Sequence, residues 1–310
     1  MIELQRKLLG DSLRNQAFYD ALKASLKPGM EVLDLGSGTG FLAFLASKLG
    51  AKHVTCVEVG DIIKISKQLA NRNNVRNCTF LHAHSTELKV AEVPKADILV
   101  SETLGNYALE ENIIECVEDA KRFLKSTAVI IPGKIWQYVC PITSDRLYQE
   151  IDTFNVGFDL RFDEARTVAM QNMFVRTIRP EDLLTGSQAV KLWDTVDFSQ
   201  KNASVRRATP HWKTDTPCTV YGFALWWKSE LVKGVQISTS PMDPATHWEQ
   251  IYLPVSQPLV LPPDSTLSLH LVSDTRWQVK MDLTWHAKVM DASGKVIAEQ
   301  EMDMKKGHLN

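Results

Sequence analysis

Glu31-Val32-Leu33-Asp34-Leu35-Gly36-Ser37-Gly38-Thr39-Gly40 is the stretch whose reading decides the fold. Its first half predicts a buried strand over residues 31–35, and the alternating glycines predict a tight turn after it. The apolar residues 41–49 then predict a helix. A strand–glycine turn–helix unit belongs to an α/β sheet, whose ligands sit beyond the carboxyl ends of the strands. The spacing is G-x-G-x-G, not the G-x-G-x-x-G that lets backbone approach a pyrophosphate. A glycine turn alone is equally consistent with a structural turn, so the neighbouring acids decide.

Asp34 sits at the strand end, before the turn, and Glu58 closes the next strand, His53-Val54-Thr55-Cys56-Val57. A carboxylate there takes both hydroxyls of a ribose. The pair repels phosphate, and no arginine replaces it. The expected ligand is therefore a nucleoside without a phosphate at this point, which S-adenosylmethionine fits. Residues 61–73 predict a helix and 79–83 a strand, whose exit, His84-Ser85-Thr86-Glu87, offers backbone groups and a hydroxyl to an adenine edge. His82 and His84 have no third ligand nearby, so no metal is expected.

The next strand, Ala96-Asp97-Ile98-Leu99-Val100, delivers the loop Ser101-Glu102-Thr103-Leu104-Gly105-Asn106-Tyr107-Ala108-Leu109-Glu110-Glu111. Glu102 falls at the carboxyl end of a parallel strand, and Glu111 on the opening turn of a helix that begins at Asn112. Two carboxylates on one hairpin-like loop make a site for a cation. Glu110 competes with Glu111 for that role, and the two point in different directions from a helix start. Residues 116–124 continue as helix and 128–131 as strand. Ahead of all this, residues 4–26 carry apolar positions at helical spacing.

After Pro132 the pattern changes. Residues 135–141 read as strand, 147–169 are mixed, and from Phe174 onward short strands alternate with turn residues, among them 220–227, 267–272 and 278–285. That pattern predicts an antiparallel sandwich or barrel. The expected organisation is a doubly wound α/β domain over residues 1–132 followed by an antiparallel domain over 133–310.

The chain has 310 residues, 44% hydrophobic and 23% charged, with a formal net charge of −2. A balance so near neutral gives no electrostatic case for nucleic acid. No apolar run reaches the length of a membrane span, and the first residues form no signal peptide. The five cysteines are scattered and form no Cys-x-x-Cys pair, so reduced thiols in a cytoplasm are expected.

Taken together, these motifs resemble the protein arginine methyltransferase family over nearly the whole chain. Residues 32–40 are similar to its cofactor motif, with Glu58 as the ribose acid. Ser101-Glu102-x-x-Gly105 with Glu111 resembles its paired-glutamate substrate loop. Ser238-Thr239-Ser240-Pro241 followed by Thr246-His247-Trp248 is similar to the loop contributed by its β-barrel. Leu9-x-Asp11-x-x-Arg14 looks like the helix whose arginine holds the methionine carboxylate.

The resemblance implies methyl transfer from S-adenosylmethionine to the guanidinium of arginine in a protein or peptide, releasing S-adenosylhomocysteine. It assigns catalysis to Glu102, Glu111, His247 and Asp11, with His247 and Trp248 joining the glutamates as walls for the substrate. Arg14, Asp34, Gly36, Gly38, Glu58, Ser85 and Thr86 fall to the cofactor. It also implies a dimerisation arm at about 147–172, carrying Phe154, Val156, Phe158, Leu160 and Phe162, and hence a homodimer.

The sequence departs from the family pattern in places. Gln5 stands where a histidine is common, and the segment before Asp11 is short, so the cofactor lid is expected to be missing, shortened or replaced. Leu8 and Ile113 occupy common methionine positions of asymmetric dimethylating members, and Ser85-Thr86 that of a valine–glutamate pair. A catalytically silent relative that activates or scaffolds a partner subunit is one alternative. A small-molecule methyltransferase is the other.

Overall fold

A computed structural model describes residues 2–186 and 188–308. Five parallel strands form the first sheet: β1 (Glu31–Leu35), β2 (His53–Glu58), β3 (Cys78–His82), β4 (Ala96–Ser101) and β5 (Leu124–Ile131). Their spatial order is β3-β2-β1-β4-β5. The chain winds outward from β1 to β3 and then returns to β4, so the winding reverses between β1 and β4. At such a reversal the connections leave in opposite directions and a crevice opens beyond the strand ends. Asp34 pairs in register with Val100 there, one residue short of where both strands end.

The central strands are mostly apolar because helices cover both faces, and Ile98, Leu99 and Val100 are fully buried, while the edge strands β3 and β5 keep exposed polar positions. Around the sheet run α1 (Ile2–Gly10), α2 (Ser12–Ser25), α3 (Phe41–Lys48), α4 (Ile63–Arg72) and α5 (Ile113–Ala120). Residues 4–26 are thus two helices, not one. The break lies at Asp11, whose carboxylate accepts the Arg14 N–H at 2.9 Å and so caps α2. The helix predicted to reach residue 124 ends earlier. A single 3₁₀ turn follows α5, and Leu124 already opens β5.

The sheet type changes between Ile131 and Lys134. The second half opens with β6 (Lys134–Ile142), followed by α6 (Arg146–Ile151), α7 (Asp163–Ala169), β7 (Phe174–Arg176), β8 (Lys191–Asp197), β9 (Val205–Ala208) and β10 (His211–Thr214). It continues through β11 (Cys218–Val232), β12 (Val235–Ser238), β13 (Gln250–Leu261), β14 (Ser265–Asp274), β15 (Asp282–Met290) and β16 (Val296–Asp303). These antiparallel strands form two sheets. One runs β7-β13-β11-β6-β8 with β12 on β11, and the other β10-β14-β15-β16 with β9 on β14. Among the described residues no strand pairing joins the two sheets, so the half is a two-sheet packing and not a hydrogen-bonded closed barrel. The strand expected from residue 278 begins at Asp282, because Lys280 takes a left-handed conformation (φ 69°) that ends the preceding turn.

One apolar core runs through both halves, from Phe18 and Val100 to Trp227, Trp285 and Met302. The arm is different. Between α6 and α7 the chain leaves the body, and Phe158 is 91% exposed, with Val156, Leu160 and Phe162 also outside.

Candidate active site

The crevice between β1 and β4 is closed from above by α1 and from the side by the antiparallel half, leaving a cavity of about 590 Å³. Leu4, Gln5, Lys7, Leu8 and Leu9 of α1 line it, so this helix covers the place where a lid was expected to be missing, shortened or replaced. Gln5 lies directly over Gly38.

The end of the cavity at the glycine turn is built from backbone and two acids. Asp34 is buried and accepts the Ala43 N–H at 3.0 Å, fastening β1 to the first turn of α3. Burial pushes its carboxyl up to about 7, against the pull of that hydrogen bond and helped by repulsion from Glu58. Glu58 accepts the Gly38 N–H at 2.9 Å through one oxygen and the Gly60 N–H at 2.6 Å through the other. Each carboxylate oxygen keeps a lone pair for a ligand. Gly36 has φ 73°, and a Cβ there would stand 2.8 Å from Thr103 Cγ2, so the turn can close against the acidic loop only with glycine. Two buried hydroxyls that line the cavity, Ser37 Oγ and Ser85 Oγ, have no protein partner. Unsatisfied hydroxyls in a wall fit a polar nucleoside better than an apolar ligand.

The acidic loop is held from the opposite half. Trp227 Nε1 donates to the Gly105 carbonyl at 3.0 Å, and Trp248 Nε1 to the Leu104 carbonyl at 2.7 Å. Glu249 N donates to Asn106 Oδ1 at 2.9 Å. At the loop's far end Asn112, in a left-handed conformation, donates to the carbonyls of Thr275 (2.6 Å) and Lys280 (2.9 Å). A buried indole N–H needs an acceptor, so each tryptophan fixes a loop carbonyl while filling the core.

Within this frame Glu102, Glu111 and Glu110 diverge. Glu102 is paired with Arg14: both Nε (2.9 Å) and Nη2 of the guanidinium bond its Oε2, and both side chains are 6% exposed. Glu111 faces the cavity. Its side chain stays exposed to the cavity, but the walls around it strip part of its solvent, and this desolvation, then repulsion from Glu102, Glu110 and Glu58, push its carboxyl up to about 7. Glu110 folds back on its own loop, accepting the Asn106 N–H at 2.7 Å across Gly105. A Cβ at Gly105 would meet Glu110 Cγ at 2.1 Å. Glu110 therefore staples the turn, although it also lines the cavity.

His247 and Asp11 close the site. Asp11 Oδ2 accepts both the His247 backbone N–H (2.8 Å) and a hydrogen bond with His247 Nδ1 (2.7 Å). Burial alone would raise the Asp11 carboxyl; donors from Arg14 and His247 outweigh it and hold the group below its ordinary value. The His247 ring packs on Trp248 at 3.9 Å between centroids.

This geometry can be set beside known proteins. Residues 134–304, more than half of the chain, match a family model described as the PRMT5 oligomerisation domain. The chain belongs to the protein arginine N-methyltransferase family. A second model, ribosomal protein L11 methyltransferase (PrmA), matches residues 16–139. Among relatives, "Probable protein arginine N-methyltransferase 6.2" of Oryza sativa subsp. indica is 24% identical over 307 residues, covering 86% of this chain and 77% of its own. Two solved methyltransferases share the fold. The Trypanosoma brucei PRMT1 enzyme–prozyme heterotetrameric complex with AdoHcy has a TM-score of 0.83 at 20% identity, covering 97% of this chain and 98% of that one. Arabidopsis thaliana protein arginine methyltransferase 10 has a TM-score of 0.80 at 20% identity, covering 98% of each.

Of the residues the family resemblance assigns, Arg14, Asp34, Gly36, Gly38, Glu58, Ser85, Glu102, Glu111, His247 and Trp248 all line one cavity. Two do not. Asp11 stands behind His247 and reaches the cavity through it. Thr86 turns its hydroxyl to His84 Nδ1 at 2.8 Å, outside the cavity wall, because His84 caps the one-turn 3₁₀ helix in which Thr86 sits. Arg14 is in place, but its fork is directed at Glu102 and Asn15. The sequence reading missed Asn106, Asn112, Trp227 and Trp277. Trp227 lay inside a strand prediction, where only its indole N–H signals a second task.

Proposed function

We propose that this chain transfers the methyl group of S-adenosylmethionine to the guanidinium of an arginine in a protein or peptide. The observation that carries this reading is the placement of Glu102 and Glu111 in the cavity whose other end holds the glycine turn and Glu58. The cofactor would be held by Glu58, Ser85, and the backbone of Gly36 and Gly38, with Arg14 near its carboxylate end. It supplies an electrophilic methyl on a sulfonium. Family membership and a methyltransferase model over residues 16–139 support the same cofactor class.

The chemistry asks for negative charge, because the acceptor is a cation whose nitrogen lone pair is delocalised. Glu102 accepts from Arg14 through Oε2 and keeps Oε1 for a substrate guanidinium N–H. Glu111, exposed to the cavity and crowded by three other acids, is the position where a guanidinium gains most. Binding a cation there relieves the repulsion and brings the Glu111 carboxyl back down. Together the two carboxylates orient the nitrogen toward the methyl and draw positive charge from it. His247, pinned by Asp11, walls the acceptor and takes the proton that nitrogen loses.

Residues 1–132 and 133–310 act as cofactor and substrate halves in this reading. A homodimer joined by the arm gives its exposed Phe158, Leu160 and Phe162 an apolar partner surface, and the oligomerisation-domain match supports association. The five free thiols suit the cytoplasm. The decisive experiment is incubation with labelled S-adenosylmethionine and arginine-rich peptides, followed by mass analysis. Methylated arginine is expected. Label confined to small molecules, or none at all, overturns the reading.

A further inference from the structure

Trp277 lies in the turn between β14 and β15, in the antiparallel half, yet it lines the cavity at its nucleoside end. It is 40% exposed, unusual for the largest apolar side chain in a protein of this size. One side is held: its ring meets the His84 ring perpendicularly, at 4.9 Å between centroids and 77° between planes. His84 in turn is fixed by Thr86 Oγ1 at 2.8 Å. Next to His84 is Ser85, whose buried hydroxyl lacks a partner although its carbonyl accepts from Arg122 at 2.7 Å.

The turn is also anchored. Asn112 binds the carbonyls at both ends of it, Thr275 and Lys280, and Thr275 Oγ1 donates to Glu115 at 2.7 Å. A rigidly tethered loop with an exposed indole, placed beside an unpaired hydroxyl, has the parts of a site for a flat heteroaromatic ring. The hydroxyl meets the ring edge and the indole its face. Stacking on an indole is tolerant of base identity, and the hydroxyl supplies direction.

We infer that Trp277 packs on the adenine of the bound cofactor, so that the antiparallel half contributes directly to nucleoside binding. This rests on the proposed cofactor. It adds a consequence: the residues that carry Trp277 are the same ones that Asn112 ties to the end of the acidic loop. Base occupancy and the position of Glu111 are therefore mechanically linked across the two halves.

The test is calorimetric titration of S-adenosylhomocysteine into the full chain and into Trp277→Ala and Trp277→Phe, with indole emission followed in parallel. The native chain should bind. Trp277→Ala should bind about tenfold more weakly at an unchanged melting temperature, and Trp277→Phe within about threefold of native. Ligand should change the emission of the native chain and change that of Trp277→Phe much less. Methionine, which lacks the base, should bind native and Ala variants alike. If the native chain does not take up the ligand, the cofactor reading itself fails. If it binds and both variants match it, with the same emission change in Trp277→Phe, the role of Trp277 is overturned while the cofactor stands. Should Trp277→Ala unfold, the Phe variant's emission still decides.

Discussion

Glu102 and Glu111 stand at the two ends of one loop, and their surroundings are opposite. Glu102 leaves the end of β4 into the protein and meets a buried guanidinium, Arg14, so its charge is compensated inside the fold. Glu111 leaves the loop toward the cavity, where partial desolvation by the walls and then repulsion from Glu102, Glu110 and Glu58 together push its carboxyl up to about 7. One acid belongs to the scaffold as well as the site, and the other to the site alone. Two equivalent letters in a motif thus carry different thermodynamic burdens.

The sharpest way to break this comparison is to neutralise each in turn. Glu102→Gln should lose about two to three orders of magnitude in turnover, the usual cost of one preorganised group. It should also destabilise the chain by about 3 kcal/mol, because Arg14 is left as a buried charge without its partner. Turnover by mass analysis and urea unfolding read the two effects. A Glu102→Gln variant as stable as native would show that the Arg14 pair is not integral to the fold.

Glu111→Gln should lose a similar factor in turnover with the opposite effect on stability. The sign follows from linkage. A carboxyl whose folded pKa is raised binds more protons folded than unfolded between its ordinary value, about 4.3, and about 7. Native stability contributed by this group therefore falls as pH rises through that window. Melting temperatures of Glu111→Gln and native should agree near pH 4.5, and the variant should be the more stable at pH 8. Asp34 titrates in the same window but is common to both chains, so the difference isolates Glu111. A variant less stable than native at pH 8 would place Glu111 in the scaffold after all.

The contrast between the two glutamates also marks where the sequence stops being legible. The five parallel strands were readable because short apolar runs and glycine turns fix them locally. Asp34, Gly36, Gly38, Glu58 and Glu102 share one cavity because they sit at or just beyond the strand ends, where topology places them, whereas Arg14 arrives on a helix and His247 and Trp248 from the antiparallel half. What could not be read was pairing across the two halves. Nothing local in Trp227, Trp248 or Asn112 says that its donor reaches a loop or turn more than 100 positions away in the chain. Likewise the helix break at Asp11 looked like continuous periodicity, since capping competes with it only through a side chain. The opposite surroundings of Glu102 and Glu111 depend on Arg14, whose pairing with Glu102 joins residues 88 positions apart.

A smaller effect is expected at Asp11, which joins α2 to His247. Asp11→Asn keeps an acceptor but removes the charge, and should cost about 1.5–3 kcal/mol at neutral pH, the range for hydrogen bonds to a charged group. Its folded pKa is lowered, so the contribution is present above its ordinary value of about 4 and disappears as pH falls through the folded one. Urea midpoints of native and variant should therefore differ at pH 7 and converge as the solution is acidified. A gap that is constant down to pH 3 would mean that charge at Asp11 is not what holds the two halves together.

The smallest effect is expected at Glu110, which separates position in the sequence from position in the site. Glu110 sits beside Glu111 in the chain, and burial raises its carboxyl too, against hydrogen bonds from the backbone of Asn106 and Tyr107. Its oxygen is committed to the Asn106 N–H, a bond that a glutamine carbonyl makes equally well. Glu110→Gln should consequently stay within about tenfold of native turnover, a penalty of no more than about 1.4 kcal/mol. Glu110→Ala should do worse than Glu110→Gln, since it removes the staple over Gly105 and frees the turn that aims Glu102 and Glu111. If Glu110→Gln is instead the crippled variant while Glu111→Gln stays near native, the acid that meets the guanidinium is Glu110, and the two must exchange roles. Equal turnover in all three Gln variants and native would leave the loop without an electrostatic task in the reaction.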